Sequence, residues 1–311
     1  MIVLALAILL DMILGDPTNR YHPTAWIGNI IAYLKPKLKS EEREKEVIKG
    51  IIAALVVIFI VIISSYIIIF ISSLFGYIIL TIVSAVALKM TIAIKSMEEH
   101  AKKVIESLID DNLLEARKRV SMIVGRDTST LDREHILSAV IESISESITD
   151  GITGALFYYS LMGIPGAFGY RAINTLDSML AYKDEYHKNI GLFSAKLDTI
   201  ANYIPARITG LLIILSAMIL GLDWRRALKI MMRDKSNTPS LNGGWTISSM
   251  AGVLGLRLEK IGYYKIGDVY EEIEIRHCYI ALKIMKVTVL LFISLISFPL
   301  ILLRMHLGWY T

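Results

Sequence analysis

Hydrophobic positions fall into a few long blocks separated by polar segments, and the blocks predict membrane helices. Ile51–Ile71 runs for about twenty residues without a charge, enough for one helix across a hydrocarbon core of roughly 30 Å. Leu74–Ile94 is a second run, broken only by Lys89 near one end, where a long amine can snorkel to water. Val287–Leu303 is a third; Arg207–Leu222 is shorter, and Leu156–Phe168 is weaker still. Met1–Leu14 is apolar apart from Asp11. It lacks the basic start and small-residue cleavage site of a signal peptide, so it predicts a retained first span or a membrane-embedded helix. The pattern predicts an all-α fold: a multi-pass transmembrane helical bundle with cytoplasmic amphipathic helices and loops. Residues 1–311 form a single integral membrane domain, with a cytoplasmic helical insert at about 95–150.

The polar segments carry their own signals. Gly15–Lys49 opens with two turn-like tripeptides, Gly15-Asp16-Pro17 and Tyr21-His22-Pro23, and ends in a charged run. An uncharged hairpin at Ser72–Ser73 joins the first two runs, so Gly15–Lys49 and the segment after Ile94 share one face. Both are rich in Lys and Arg and the hairpin has neither, which makes that face cytoplasmic. Lys95–Val120 has the spacing of an amphipathic helix, with Met97, Ala101, Val104, Ile105, Leu108 and Ile109 on one stripe. Val124–Thr128 is a break, after which Ser129 or Thr130 caps a helix carrying Ile136 through Asp150. Gly151, Gly154, Gly163, Pro165, Gly166 and Gly169 then punctuate an apolar stretch. That many breakers predict a broken or re-entrant segment, which survives at membrane depth only when protein covers it. Arg225–Lys283 is the last polar segment and contains the Gly-rich turn Asn242-Gly243-Gly244-Trp245.

Composition narrows the function class. The chain is 54% hydrophobic, with a mean hydropathy of +0.56, too apolar for an ordinary soluble domain. Its net charge of +4 and its lack of a basic cluster interleaved with aromatics exclude a nucleic-acid footprint. The single cysteine, Cys278, excludes an intrachain disulfide and a multi-thiolate metal site. The histidines are scattered without a zinc-type pair, and no Gly-rich nucleotide motif occurs.

Polar residues set against apolar sequence are costly and usually functional. Glu142, Glu146 and Asp150 lie at i, i+4 and i+8 on one helix face. Like charges at that spacing cost about 0.2–0.5 kcal/mol per pair in an exposed helix. A Mg²⁺ held with substrate phosphates would offset this, since Mg²⁺ takes one or two carboxylates and keeps its waters; a solvated acidic face is the alternative. Arg126 and Asp127, in a loop, suit an anion or a surface ion pair. Arg171, Asn174, Thr175 and Asp177 are either a binding set or a helix cap. Asp198 and Asn202 are one helical turn apart, and Arg207, just after Pro205, is either a ligand group or an interfacial anchor. Asp11 is a buried carboxylate that needs a partner. The backbone N–H groups of the Asn242–Trp245 turn suit an anion, unless the turn is a plain surface feature.

Taken in order, these residues resemble a known family. Leu10-Asp11, Gly15-Asp16-Pro17, His22-Pro23 and Gly28 are similar to the start of the CobD/CbiB family. The resemblance continues through Val124–Thr128, Glu142-Ser143, Glu146, Asp150-Gly151 and Arg171–Ser178. It runs on through Tyr182-Lys183, Asp198, Ala201–Arg207, Ser240, Asn242, Gly244-Trp245 and Ala251-Gly252. The chain departs from the family pattern at Ser147, Ala155, Ala181, Lys196, Thr199 and Leu241.

The resemblance implies an integral enzyme of the cell membrane, the adenosylcobinamide-phosphate synthase of cobalamin biosynthesis. It would join adenosylcobyric acid, through a corrin-ring carboxylate, to aminopropanol or its O-phosphate, with ATP and Mg²⁺. Glu142, Glu146, Asp150 and Asp198 are the candidate catalytic residues, the first three also as Mg²⁺ ligands. Asp16, His22, Arg126, Asp127, Arg171, Asn174, Asp177, Asn202, Arg207 and Asn242 are candidates for substrate binding. Expected partners are the corrinoid, the amine, the lipid bilayer and other enzymes of the pathway, with no nucleic acid. The rival reading is a non-catalytic membrane regulator or sensor resembling the AmpE type; a transporter is a third.

Overall fold

The computed structural model describes residues 1–182 and 184–308; Lys183 of the motifs above lies outside the described residues. The fold is all-α, with one short hairpin. The helices are α1 (Ile2–Leu14), α2 (Pro23–Leu34), α3 (Arg43–Ser73), α4 (Tyr77–Lys89), α5 (Ile94–Ile109), α6 (Leu113–Val120) and α7 (Arg133–Ser147). They continue as α8 (Gly154–Leu180), α9 (Leu192–Ala201), α10 (Tyr203–Ile219), α11 (Trp224–Asp234), α12 (Gly243–Leu254), α13 (Ile275–Phe292) and α14 (Phe298–His306). Strands β1 (Leu258–Lys260) and β2 (Tyr264–Ile266) pair antiparallel, with Glu259 opposite Lys265. Among the described residues three helical stretches are long and apolar enough to cross a membrane, Arg43–Ser73, Tyr77–Ile109 and Ile275–His306. Leu192–Ala201 and Tyr203–Ile219 make a fourth if they cross as one.

The chain forms two interleaved compact units. The first holds Met1–Ala93, Gly154–Asn202 and the stretch from Ile296; the second holds Ile94–Thr153 and Tyr203–Leu295. In the first, α2, α3 and α8 share a core that includes Ile27, Ile31, Ala53, Ala54, Val57, Val61, Ala172, Leu176 and Leu180. On α3 the residues turned inward are small, whereas Leu55, Phe59 and Phe70 are exposed, Phe59 to 65%. A soluble helix does the reverse. Small residues let helices approach closely while large apolar ones face lipid, the arrangement of a membrane helix.

Several local expectations change. At about 1.5 Å per residue, the 13 residues of α1 reach about 20 Å, short of a hydrocarbon core of roughly 30 Å. Lys89 does not snorkel: it is buried and pairs with Asp16 at 2.8 Å. The single helix over Lys95–Val120 is two, because Asp111 takes a positive φ of 53° and the Asn112 side chain caps α6 by accepting from Glu115 N. Ile109 is exposed, outside the buried stripe. The cap of α7 is Asp132, whose carboxylate accepts from His135 N, rather than Ser129 or Thr130. The turn at Asn242–Trp245 is the start of α12.

The Gly-rich segment is broken, as its composition predicts. Within α8, Gly163 takes φ 69° and ψ −156°, a conformation L side chains rarely adopt, and Pro165 follows. The Tyr158 and Tyr170 rings stack 5.4 Å apart, although residues twelve apart on a straight helix lie about 18 Å apart. A Cβ at Gly154 would collide with the Tyr170 hydroxyl. The two halves of α8 therefore fold back on one another as a helical hairpin.

Candidate functional site

In the second unit the polar residues converge around α7. Ser138, Glu142 and Glu146 follow one another by single helical turns. The Glu142 carboxylate is buried and fully engaged: Arg126 Nη2 donates to Oε1 at 3.1 Å, the Ser138 hydroxyl to Oε1 at 2.9 Å and the Tyr264 hydroxyl to Oε2 at 2.6 Å. Ser138 in turn accepts from Glu259 N at 2.9 Å, which ties the β-hairpin to α7. Burial, then the charges of Glu142 and Glu146, push the Tyr264 phenol far up, so it stays a donor.

Glu146 differs. It is solvent-accessible, yet the protein around it is dense enough that desolvation is the first cause raising its carboxyl to about 7, with Glu142 the second. Glu146 is thus exposed at its surface while the protein around it raises its carboxyl. The accessible surface decides whether a ligand can reach it. A Cβ at Gly243 would lie 3.2 Å from Glu146 Oε1, so this carboxylate stands at the start of α12.

The same helix start carries two cations. Arg207 Nη1 donates to Asn242 Oδ1 at 3.2 Å, and its guanidinium lies 3.4 Å from the Tyr203 ring centroid and 5.1 Å from that of Trp245. Lys235 Nζ lies 4.6 Å from the Trp245 ring. Among the described residues neither cation pairs with a carboxylate, although ion pairs are common elsewhere in the chain. Gly244 makes the approach possible, since a Cβ there would collide with the Lys235 carbonyl. The N–H groups of Asn242 and Gly243 are taken by the Ser240 hydroxyl, so any anion here is met by side chains rather than by those amides.

The first unit holds a second cluster, on α8 and α9. Asn202 is buried and saturated: its Nδ2 donates to both Asp198 oxygens at 3.1 Å, and its Oδ1 accepts from the Tyr170 hydroxyl at 2.7 Å. Arg171 anchors α8, with Nε and Nη2 donating to the Thr91 carbonyl at 3.1 and 2.8 Å and Nη1 to Asn174 at 3.1 Å. Burial first, and then the nearby Asp198, raise the Asp177 carboxyl to about 7. Away from this cluster, Asp16 bonds Lys89 and stands 3.6 Å from His22. Burial opposes its ionisation, but the His22 and Lys89 bonds outweigh that and hold the carboxyl well below the usual range. His22 also caps α2, its Nδ1 accepting from Thr24 N.

The sequence candidates thus separate. Arg126, Glu142, Glu146, Arg207 and Asn242 belong to the second-unit cluster; Arg171, Asn174, Asp177, Asp198 and Asn202 belong to the first-unit cluster. Asp127 is an exposed turn residue that accepts from Ser129 N. Asp150 sits, half-buried, in the wide turn Ile148–Thr153, which interrupts the regular repeat after Glu146. Among the described residues no group of three or more His, Cys, Asp or Glu side chains can hold a metal ion, so the three carboxylates do not converge on one point. Sequence reasoning missed Ser138, Tyr264, Lys235 and Tyr170. Tyr170 adjoins the Arg171 motif and was within reach; nothing near Tyr264 marks it.

Comparison with known proteins gives the family. The family described as CobD/Cbib protein matches residues 4–289. A probable cobalamin biosynthesis protein CobD of Methanocaldococcus jannaschii is 41% identical over 94% of this chain and 95% of its own length. One of Methanothermobacter thermautotrophicus is 39% identical over 93% and 94%. The cobalamin biosynthesis protein CobD of Clostridium perfringens is 38% identical over 90% and 91%. No solved structure matches the chain. With a family match over nearly its whole length and relatives at this identity, the chain belongs to the CobD/CbiB family.

Proposed function

We propose that this chain is a multi-pass cell-membrane enzyme of cobalamin biosynthesis. It joins a corrin-ring carboxylate of adenosylcobyric acid to aminopropanol or its O-phosphate in an ATP-dependent amide-forming reaction. Family membership and the names of the relatives support the pathway. The observation that carries the reaction class is the grouping in the second unit of Glu146 with Arg207 and Lys235, which pair with no carboxylate among the described residues, at the start of α12. An amide does not form from a free carboxylate and an amine at neutral pH without activation. A phosphoryl group from ATP makes the carboxylate an acyl phosphate; the amine nitrogen then attacks the carbonyl carbon and phosphate leaves. Two cations stacked on aromatic rings suit the phosphate charge of such a reaction.

The donor chemistry of this grouping also fits Mg²⁺ arriving with ATP. Glu142 is taken by Arg126, Ser138 and Tyr264. Glu146 is a hard oxygen donor, and Mg²⁺ with nucleotide phosphates needs only one or two. A cation here would relieve the repulsion from Glu142 that helps raise Glu146. Bound there, it would neutralise phosphate charge. Asn174 and Asp177, half-buried members of the first-unit cluster, are of the kind that pairs with the peripheral amides of a corrinoid.

The test is product formation by the purified chain in detergent. Adenosylcobyric acid, ATP and Mg²⁺ are supplied with aminopropanol or with its O-phosphate, and the corrinoid is weighed by mass spectrometry. Amide product with either amine is expected, together with growth of a synthase-deficient strain supplied with cobyric acid. A monodisperse chain that yields no amide with either amine, and does not restore growth, overturns the reading and favours a membrane sensor. Orientation is tested in whole cells carrying Cys278→Ser: an impermeant thiol reagent should label Ser73→Cys and spare Lys103→Cys.

A further inference from the structure

At the hairpin end of α3 and α4 the first unit contains a cavity of about 330 Å³. The tip of the α8 hairpin, at Tyr159, Ile164 and Pro165, forms one wall; the end of α14, at Ile301 and Arg304, forms another. Ile69, Phe70 and Leu80 make part of the lining apolar, while the hydroxyl-bearing residues Tyr66, Ser73, Tyr77 and Ser84 also line it. Tyr66 and Tyr77 are exposed, so the cavity opens outward.

Arg304 is the unusual member. Its Nη1 donates to the Tyr159 carbonyl at 2.7 Å, and the guanidinium lies 5.6 Å from the Tyr159 ring. Its Nε is buried and has no hydrogen-bond partner, and among the described residues no carboxylate pairs with it. A guanidinium held among apolar helices without a counter-charge is expensive. One carbonyl and one ring compensate only part of that cost, and the structure keeps the group anyway. A ligand that brings negative charge would complete the site. The surroundings add two requirements: the ligand needs an apolar part, because much of the wall is hydrocarbon, and it must arrive at the end of membrane-crossing helices. A phosphodiester headgroup carrying acyl chains meets all three.

We propose that this cavity binds an anionic phospholipid, its phosphate against Arg304 and the cavity hydroxyls and one acyl chain along the apolar wall. The site is separate from the cluster at α12, and the proposal does not depend on the reaction assigned to that cluster. A lipid wedged at the tip of the α8 hairpin would brace the chain at Gly163, where the backbone leaves the helical conformation.

The test uses the full chain purified in mild detergent and offered mixed micelles containing phosphatidylglycerol or phosphatidylcholine, with retained lipid counted by native mass spectrometry. The parent should retain phosphatidylglycerol in preference. Arg304→Gln should reduce that retention by roughly fivefold or more, as loss of a charge-assisted contact implies, and Arg304→Lys should restore part of it. Thr81→Phe, which fills the cavity and leaves the charge in place, should reduce retention of both lipids. Lys37→Gln, a basic residue away from the cavity, should change nothing. Monodisperse Arg304→Gln and Thr81→Phe proteins that both retain phosphatidylglycerol as the parent does would overturn the proposal. So would its displacement by excess inorganic phosphate, since the site would then be one for free anions.

Discussion

The two polar clusters look alike in sequence and differ in structure. Each places arginine, carboxylate and asparagine at helical spacing beside apolar residues. In the first unit most of the groups satisfy one another: Arg171 holds the Thr91 carbonyl, and Asn202 is bonded at both ends of its amide. In the second unit Glu142 is equally satisfied, but among the described residues Glu146, Arg207 and Lys235 form no ion pair. The difference teaches that density of polar residues does not locate chemistry. Groups that meet each other hold the fold together, and groups left unbalanced at an accessible surface are the ones available to a ligand.

That distinction can be broken by substitution. The largest effect is expected at Glu142. Glu142→Ala leaves the mostly buried Arg126 guanidinium without its counter-charge and the Tyr264 hydroxyl without its acceptor. Breaking a buried pair in this way costs about 3–5 kcal/mol, so the variant should melt well below the parent in detergent, with or without substrate. Arg171→Ala should come next, losing about 2–3 kcal/mol because the buried Thr91 carbonyl gives up a charged donor. If Arg171→Ala keeps its melting temperature but loses turnover, the first-unit cluster is not structural in the sense argued above. Arg207 should behave in the opposite way. Arg207→Ala should melt within a few degrees of the parent yet lose roughly tenfold to a hundredfold in turnover. Arg207→Lys should recover only part of it, because an ammonium cannot reproduce the planar stacking on Tyr203 and Trp245.

Much of the fold was legible in the sequence because lipid imposes a simple rule on composition. The charge-free run of α3 and the broken stretch at Gly163–Pro165 both follow from it. What the sequence hid was the set of contacts between distant residues. Lys89 read as a snorkelling end group because its partner, Asp16, lies 73 residues away. The bond from Tyr264 to Glu142, across 122 residues, is invisible to helical periodicity. The acidic spacing gave no hint that Arg126, in the preceding loop, reaches Glu142 at 3.1 Å. Lys235 carries no local motif at all and joins the cluster only because Gly244 lets two backbones approach.

The smallest expected effect is a pH dependence that separates the clusters further. The Asp177 carboxyl is raised to about 7 by burial and by Asp198, against an ordinary value near 3.9 in an unfolded chain. The folded state therefore holds this proton more tightly than the unfolded state. Its contribution is fully present below about pH 4 and is lost as pH rises to about 7, above which it stays flat. Asp177 is half-buried, so solvent screens part of the effect and the shift in melting temperature should be modest. The parent should melt lower at neutral pH than at mildly acidic pH, and Asp177→Asn, which cannot ionise, should flatten that slope. A slope unchanged in Asp177→Asn would mean that the carboxylate is already relieved by another group. The first-unit cluster would then be satisfied throughout, and every unbalanced charge in this comparison would lie in the cluster around Glu146.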